Sequence, residues 1–256
     1  MDILQALILG LVQGITEWLP ISSSGHLAIT HKLMNIAPSA AFDVTLHFGT
    51  LLAVAVIYWR DFWEMIKATI RLDAKSPSGK MAINIVIATI PAAVLGYLFS
   101  DFFESLFSNF MAIGIALIIT SAFLFFASMA KGRNEVGIKE AIIIGLAQAA
   151  SIIPGLSRSG STMSAGMLSG VDKNKAVQFS FLISFPITLG ASLYELKKSG
   201  LLELDPMPTI AGISAAFIAG YLSIKLLVRL VKQSKLQYFA YYCFLLGLLV
   251  IALLGG

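Results

Sequence analysis

Charge is what this sequence has least of. Only 12% of its 256 residues are Asp, Glu, Lys or Arg, against about 25% in an ordinary soluble domain. Hydrophobic residues make up 57%. So few polar side chains cannot coat a globule in water, and lipid must be the solvent for most of the surface. A soluble domain is excluded. Cysteine is almost missing too. Cys243, set in an apolar run, is the only one, so neither an intramolecular disulfide nor a multi-cysteine metal site can form. The excess of positive charge is small, +4, which suits anionic lipid headgroups and gives no footprint for nucleic acid. Met1-Asp2 carries no basic n-region and no small-residue cleavage site follows, so the first hydrophobic segment is expected to stay in the mature protein.

Long apolar runs are what the chain does have. Windows of about 20 apolar residues mark spanning helices, and six stand out, at about 40–59, 81–100, 109–130, 176–195, 208–230 and 237–254. Two further stretches, 2–30 and 139–168, begin apolar and then break. The breaks read Pro20-Ile21-Ser22-Ser23-Ser24-Gly25 and Pro154-Gly155-Leu156-Ser157-Arg158-Ser159-Gly160. Broken backbone at membrane depth is tolerated only inside protein or beside a watery cavity, so both are expected to be re-entrant helix–loop–helix elements. They also echo each other. Gly10-Leu11-Val12-Gln13 and Gly145-Leu146-Ala147-Gln148 match at an offset of 135, as do Ser22 with Ser157, Ser24 with Ser159 and Gly25 with Gly160. Gly96-Tyr97-Leu98 returns as Gly220-Tyr221-Leu222. Each half, about 1–130 and 139–254, thus holds one broken element and three spans, and an odd number of spans sends the second half in upside down. The expected fold is all-α and polytopic: one transmembrane domain over 1–256, with six transmembrane helices and two re-entrant elements in an inverted repeat. Such repeats put their site near the midplane, where the halves meet.

Basic residues set the orientation. Arg60, Lys67, Arg71, Lys75, Lys80, Lys131, Arg133, Lys139, Lys173, Lys175, Lys225, Arg229, Lys232 and Lys235, fourteen of the 18, fall on one side of this arrangement. Lys32, Lys197 and Lys198 fall on the other, and Arg158 is left at membrane depth. The first broken element is therefore expected to dip in from the non-cytoplasmic side and the second from the cytoplasm.

Four polar groups stand where lipid-facing residues belong: Gln13, Glu17, His26 and Arg158. A charge at the bilayer centre costs roughly 2.5–3.5 kcal/mol on insertion scales, so each needs a partner or a task. Gln13 and Glu17 are one helical turn apart and share a face. Their oxygens suit a hard divalent cation, with phosphate or water completing its shell; the plainer reading is a Gln–Glu hydrogen bond closing a helix interface. Ser22, Ser23, Ser24 and Gly25 offer hydroxyls and free N–H groups to a phosphate. His26 is an acid, base or nucleophile near neutral pH, or else a helix histidine bonded to a backbone carbonyl. His31 is expected at the interface and His47 against a neighbouring helix. Arg158 sits among Ser157, Ser159, Ser161 and Thr162, and its fork fits phosphate oxygens bidentately. Alternatively it neutralises Glu17 across the halves. The repeat aligns Ser23 with Arg158 and Glu17 with Ile152, so one half is acidic and the other cationic, which is what a phosphoanhydride held in a membrane requires.

The stretches Gln13-Gly14-Ile15-Thr16-Glu17-Trp18-Leu19-Pro20-Ile21-Ser22-Ser23-Ser24-Gly25-His26 and Pro154-Gly155-Leu156-Ser157-Arg158-Ser159-Gly160-Ser161-Thr162 resemble the two signature motifs of undecaprenyl-diphosphate phosphatases of the bacitracin-resistance type, without departure inside either motif. The resemblance covers nearly the whole chain. It implies Glu17 and Gln13 at the metal and diphosphate, His26 and Ser23 in catalysis, and Arg158, Ser157 and Thr162 on the phosphates; the hydroxyls of Ser22, Ser24 and Ser159 are expected beside them from the turn chemistry above. It further implies a Mg²⁺ or Ca²⁺ cofactor and, as substrate, a polyprenyl diphosphate lipid in the plasma membrane. Hydrolysis of its terminal phosphate would recycle the carrier of cell-wall synthesis. Whether Ser23, His26 or water attacks phosphorus stays open, as does oligomeric state, a homodimer included. The main rival is a transporter or flippase of a lipid phosphate, which would share the architecture but has no need of a histidine beside a metal-competent carboxylate. Phosphatases of the phosphatidic-acid type require a further histidine after their Ser-Arg motif, and none follows His47.

Overall fold

The computed structural model describes residues 1–37, 39–199 and 204–255. Among these the chain is all-helical, with twelve helices and no strand. Six are long and apolar enough to cross a bilayer: α3 (Ala40–Ile57), α5 (Pro77–Leu98), α7 (Phe110–Ser128), α10 (Lys173–Ser199), α11 (Pro206–Lys232) and α12 (Gln237–Leu254). At about 1.5 Å per residue the shortest reaches about 27 Å, close to the hydrocarbon thickness. Their outward faces are apolar; Val86, Leu222 and Leu245 are each at least 60% exposed. The chain is a multi-pass membrane protein.

Two breaks fall where the serine-rich turns predict them. The first separates α1 (Ile3–Trp18) from α2 (Ser23–Leu33), the second α8 (Ile138–Ala150) from α9 (Arg158–Leu168). Local chemistry explains each restart. Ser22 and Ser157 are N-caps whose hydroxyls accept from the amides of Gly25 and Gly160, satisfying donors that a new helix leaves free. Two shorter helices lie in stretches the hydropathy reading leaves as loops, α4 (Trp59–Ile70) and α6 (Ser100–Leu106). Neither contains a 20-residue apolar window, so a search for spans passes over them.

Packing crosses between the halves. The main neighbour of α1 is α11, that of α8 is α5, and α7 pairs with α12. Small residues permit the contact. A Cβ added at Gly14 of α1 would lie 2.5 Å from the Ala216 carbonyl of α11, and one at Gly145 of α8 would lie 2.7 Å from the Ala88 carbonyl of α5. Around the C-terminal end of α1, Trp18, Phe181, Met163, Leu227 and Cys243 form one buried cluster. Trp18 meets Phe181 edge to face at 5.2 Å. That cluster walls the site.

Candidate functional site

Glu17 is the last polar residue of α1 before the break, 8% exposed, and four side chains converge on its carboxylate. The Ser23 hydroxyl, at the first position of α2, donates to Oε2 at 2.6 Å, and Gln13 Nε2, one turn back on α1, donates to the same oxygen at 3.1 Å. Arg158, at the first position of α9, forms an ion pair with Oε1. His47 Nε2 on α3 lies 3.9 Å from Oε2. Two helix starts and one helix end therefore meet at a single carboxylate. The guanidinium also stands over the Trp18 ring, 5.4 Å from its centroid, a contact that holds the fork in place.

A buried ion pair is neutral as a unit, and breaking it strands the remaining charge. Here the pairing is incomplete in an informative way. Arg158 Nη1 and Gln13 Oε1 are buried with no partner among the described residues. One is a spare cationic donor and the other a spare oxygen acceptor, on either side of the same carboxylate. Other buried polar atoms, among them Gln148 Oε1, also lack a partner among the described residues; these two are set apart by flanking the Glu17 carboxylate. They fit a ligand that brings anionic oxygens for the arginine and a cation, or a proton, for the amide.

The other residues singled out by sequence have protein partners of their own. His26 Nδ1 faces the Ser22 carbonyl at 2.7 Å and Nε2 faces the Tyr242 hydroxyl at 2.7 Å, with the two rings stacked 5.7 Å apart. With Nδ1–H donating to the carbonyl, Nε2 accepts from the tyrosine, and neither contact reaches Glu17. Ser22 and Ser24 share a hydroxyl contact at 3.3 Å. In the second loop Ser159 donates to the Leu19 carbonyl at 3.2 Å, clasping the two loops together. Thr162 is fully buried and bonded to the Ser180 hydroxyl at 2.6 Å and to the Arg158 carbonyl. Ser157 is occupied by its cap, with Ser159 3.3 Å away. His31 faces the protein interior. It is 3% exposed, with Nε2 3.1 Å from the Asp43 carboxylate. A carboxylate one element away stabilises it there, and no local spacing announces that pair.

Sequence reasoning gave His47 to a helix contact and passed over Trp18, Tyr242 and Thr120. The Thr120 hydroxyl on α7 accepts from Ser157 N at 3.0 Å and donates to the Gly155 carbonyl at 3.2 Å, supporting the second loop from outside it.

Fold and site together define a polytopic membrane protein that buries an arginine–carboxylate centre between two broken helices. The comparisons with known proteins then narrow the class. The family described as bacitracin resistance protein BacA matches residues 6–249, and this chain belongs to that family. It is similar to the undecaprenyl-diphosphatase of Korarchaeum cryptofilum, 39% identical over 99% of this chain and 100% of the relative. The undecaprenyl-diphosphatase of Halothermothrix orenii is 40% identical over 100% and 99%, and that of Bacteroides thetaiotaomicron 41% over 98% of each.

Proposed function

We propose that this protein is an integral membrane phosphatase that removes the terminal phosphate of undecaprenyl diphosphate or a related polyprenyl diphosphate, giving the monophosphate and inorganic phosphate and so recycling a lipid carrier. The observation that carries the reading is the Ser23 hydroxyl 2.6 Å from a carboxylate whose other oxygen is held by Arg158. A diphosphate offers Arg158 better oxygens than Glu17 does, since a guanidinium binds phosphate through two parallel hydrogen bonds. Once that exchange is made, Glu17 is released beside Ser23 and can take its proton. Ser23 Oγ then bonds to the terminal phosphorus, the phosphoanhydride P–O bond breaks and prenyl monophosphate leaves. Water next attacks the phosphoserine to release inorganic phosphate and return the proton. Arg158 stabilises the charge on the transferring group throughout. A transporter of lipid phosphate has no use for a hydroxyl poised on a carboxylate.

A divalent cation fits this donor set in one way. Glu17 and the orphaned Gln13 Oε1 would hold Mg²⁺ or Ca²⁺, and no group of three His, Cys, Asp or Glu among the described residues forms a ready-made cage. Diphosphate oxygens and water must supply the remaining ligands, as is usual for Mg²⁺. When bound there the ion would neutralise diphosphate charge.

We read the two halves, about 1–130 and 139–254, as an inverted repeat in one domain, with α1–α2 and α8–α9 re-entrant. The offset of 135 between Ile3 and Ile138 and between Ser23 and Arg158 supports this, as does the crossed packing of α1 on α11 and α8 on α5. The distribution of basic residues supports a Glu17 loop on the non-cytoplasmic side of the plasma membrane, with the headgroup entering laterally and its tail left in lipid. Phosphate release from detergent-purified protein, offered diphosphates of several chain lengths with and without Mg²⁺, tests the activity; no release from any of them sinks it. For sidedness, Ser39→Cys and Ser105→Cys in a Cys243→Ala background should react with an impermeant thiol reagent on intact cells, while Ser78→Cys and Asn134→Cys should not. The reverse pattern puts hydrolysis inside.

A further inference from the structure

We infer that α4 is a membrane-surface anchor whose uncovered stripe docks on the anionic headgroups of the leaflet where α3 ends and α5 begins. Successive helix residues turn by about 100°, which puts Trp59, Trp63, Ile66 and Ile70 on one narrow stripe. They are 56%, 51%, 48% and 76% exposed. The helix is not loosely attached. Its other apolar face buries Met65 and Ala68, Phe62 packs on Phe185 of α10 with ring centroids 4.9 Å apart, and Asp61 accepts from Gln178 Nε2 at 2.7 Å. One face of α4 is thus fixed to the protein, while a second, aromatic one stays bare.

Charge says what covers it. Arg60, Lys67 and Arg71 run along one edge of the stripe, and two of these cations touch its indoles: Arg60 is 5.5 Å from the Trp59 ring and Lys67 5.6 Å from the Trp63 ring. Indoles flanked by cations match the boundary between headgroup and acyl chain. The acidic residues nearby are largely engaged elsewhere. Asp61 turns inward to Gln178 and Asp73 accepts from Ser76 N, while Glu64 offsets Lys67 and leaves Arg60 and Arg71 to carry the net charge of that edge. Lys75 and Lys80 follow on the same side. Leu72, just past the helix, adds a further apolar side chain that is 89% exposed; its φ of +51 belongs to the turn that ends α4, where Leu72 N donates to the Thr69 carbonyl and Asp73 N to the Ala68 carbonyl. Connectivity fixes the depth: Tyr58 caps both α3 and α4, so α4 starts where a span leaves the membrane.

The test uses full-length protein in vesicles containing phosphatidylcholine or phosphatidylglycerol brominated high on the acyl chain, with tryptophan quenching as the readout. Trp18, at 1% exposure, is shielded, so quenching reports Trp59 and Trp63. Quenching by the anionic lipid should set in at lower mole fraction, by about five-fold in relative affinity for each basic side chain engaged. High salt should erase the preference in the unmodified protein, and Arg60→Gln/Lys67→Gln/Arg71→Gln should erase it at low salt. Trp59→Phe/Trp63→Phe should leave almost no quenching. Equal quenching by both lipids in the unmodified protein overturns the headgroup assignment. Absence of quenching, with cross-linking of two copies through this stripe, overturns the docking itself and makes α4 a dimer face.

Discussion

At Ser22 and at Ser157 the chain enters an eleven-residue helix by the same device, a hydroxyl accepting from the glycine amide three residues on, at 3.3 and 3.1 Å. Beyond the cap the two regions part. The first helical residue is Ser23 in one and Arg158 in the other, and both reach Glu17. At the 135-residue offset that separates the two caps, the position matching Glu17 is Ile152, which brings no charge. Ser24 stays within its own loop, whereas Ser159 crosses to the Leu19 carbonyl. His26 finds Tyr242, while the residue aligned with it, Ser161, keeps a buried hydroxyl with no partner among the described residues. The two turns share one capping device, and the residues that follow it are complementary. A buried carboxylate and a buried guanidinium would each be too costly alone, and each is tolerable because the other half provides its partner.

The sharpest way to break that complementarity is at Arg158. Arg158→Lys keeps the charge but loses the planar fork, and kcat is expected to fall by about 10²–10³. Arg158→Ala should be no more active and less stable, by about 3–5 kcal/mol, because it leaves Glu17 buried and unpaired. The lysine variant therefore carries the test. Steady-state phosphate release near the unmodified rate would reduce Arg158 to a structural counter-ion.

A loss of about 10² is expected for Glu17→Gln, which removes the acceptor for the Ser23 proton. The same change should weaken the apparent Mg²⁺ affinity, since an amide is a poorer ligand for a hard cation than a carboxylate. Gln13→Glu should be tolerated, because a carboxylate oxygen can take the place of the Gln13 Oε1 toward the cation. Activity titrated against Mg²⁺ after EDTA treatment reads both effects. Undiminished turnover in EDTA would remove the cation from the site and leave Gln13 as a hydrogen-bond donor only.

A smaller effect belongs to Trp18, whose ring holds the guanidinium. Trp18→Leu should raise KM for the diphosphate by about two- to thirty-fold, the range of one cation–π contact, with kcat less affected. Trp18→Phe should recover part of the loss. Equal falls in kcat for both variants would mean that the indole packs the core without steering the arginine.

The six spans could be read in the sequence because bilayer thickness alone dictates an apolar window of that length. Their polar ends could not. α5 starts at Pro77 instead of near 81, because the Ser76 cap and a proline at the first turn extend the helix through Ser78, Gly79 and Lys80, residues a hydropathy window discards. Gln13, Glu17, His26 and Arg158 stood out since polar groups in a membrane demand explanation; three of them converge, joined by Ser23, while His26 turns to the Ser22 carbonyl and Tyr242. His47 did not stand out, because its relation to Glu17 spans thirty residues and two helices with no spacing rule to reveal it. Ser157, Ser159 and Thr162 show the opposite difficulty. A serine in a turn suits a cap, a backbone clasp or a ligand equally well, and only the placement of the Gly160 amide, the Leu19 carbonyl and Ser180 tells these apart.

The smallest expected effect tests the one backbone difference between the two caps. Ser22 is held at φ +70, ψ +94, whereas Ser157 sits at φ −63, ψ +120, ordinary extended backbone. A non-glycine residue in so sparsely populated a region costs about 1–3 kcal/mol. Glycine serves as an N-cap with a loss of only a few tenths of a kcal/mol. Ser22→Gly should therefore raise thermal stability, by about 1 kcal/mol once the lost hydroxyl and the added unfolded-chain entropy are counted. Ser157→Gly carries the same entropy cost with no strain to relieve, so it should lower stability by about 0.5–1 kcal/mol. Thermal unfolding in one detergent, followed by tryptophan emission, compares the two directly. If the strain serves to aim Ser23 at Glu17, the stabilised Ser22→Gly protein will also release phosphate more slowly. Stability shifts of the same sign at both positions would mean that Ser22 stores no strain and that the two caps differ only in their neighbours.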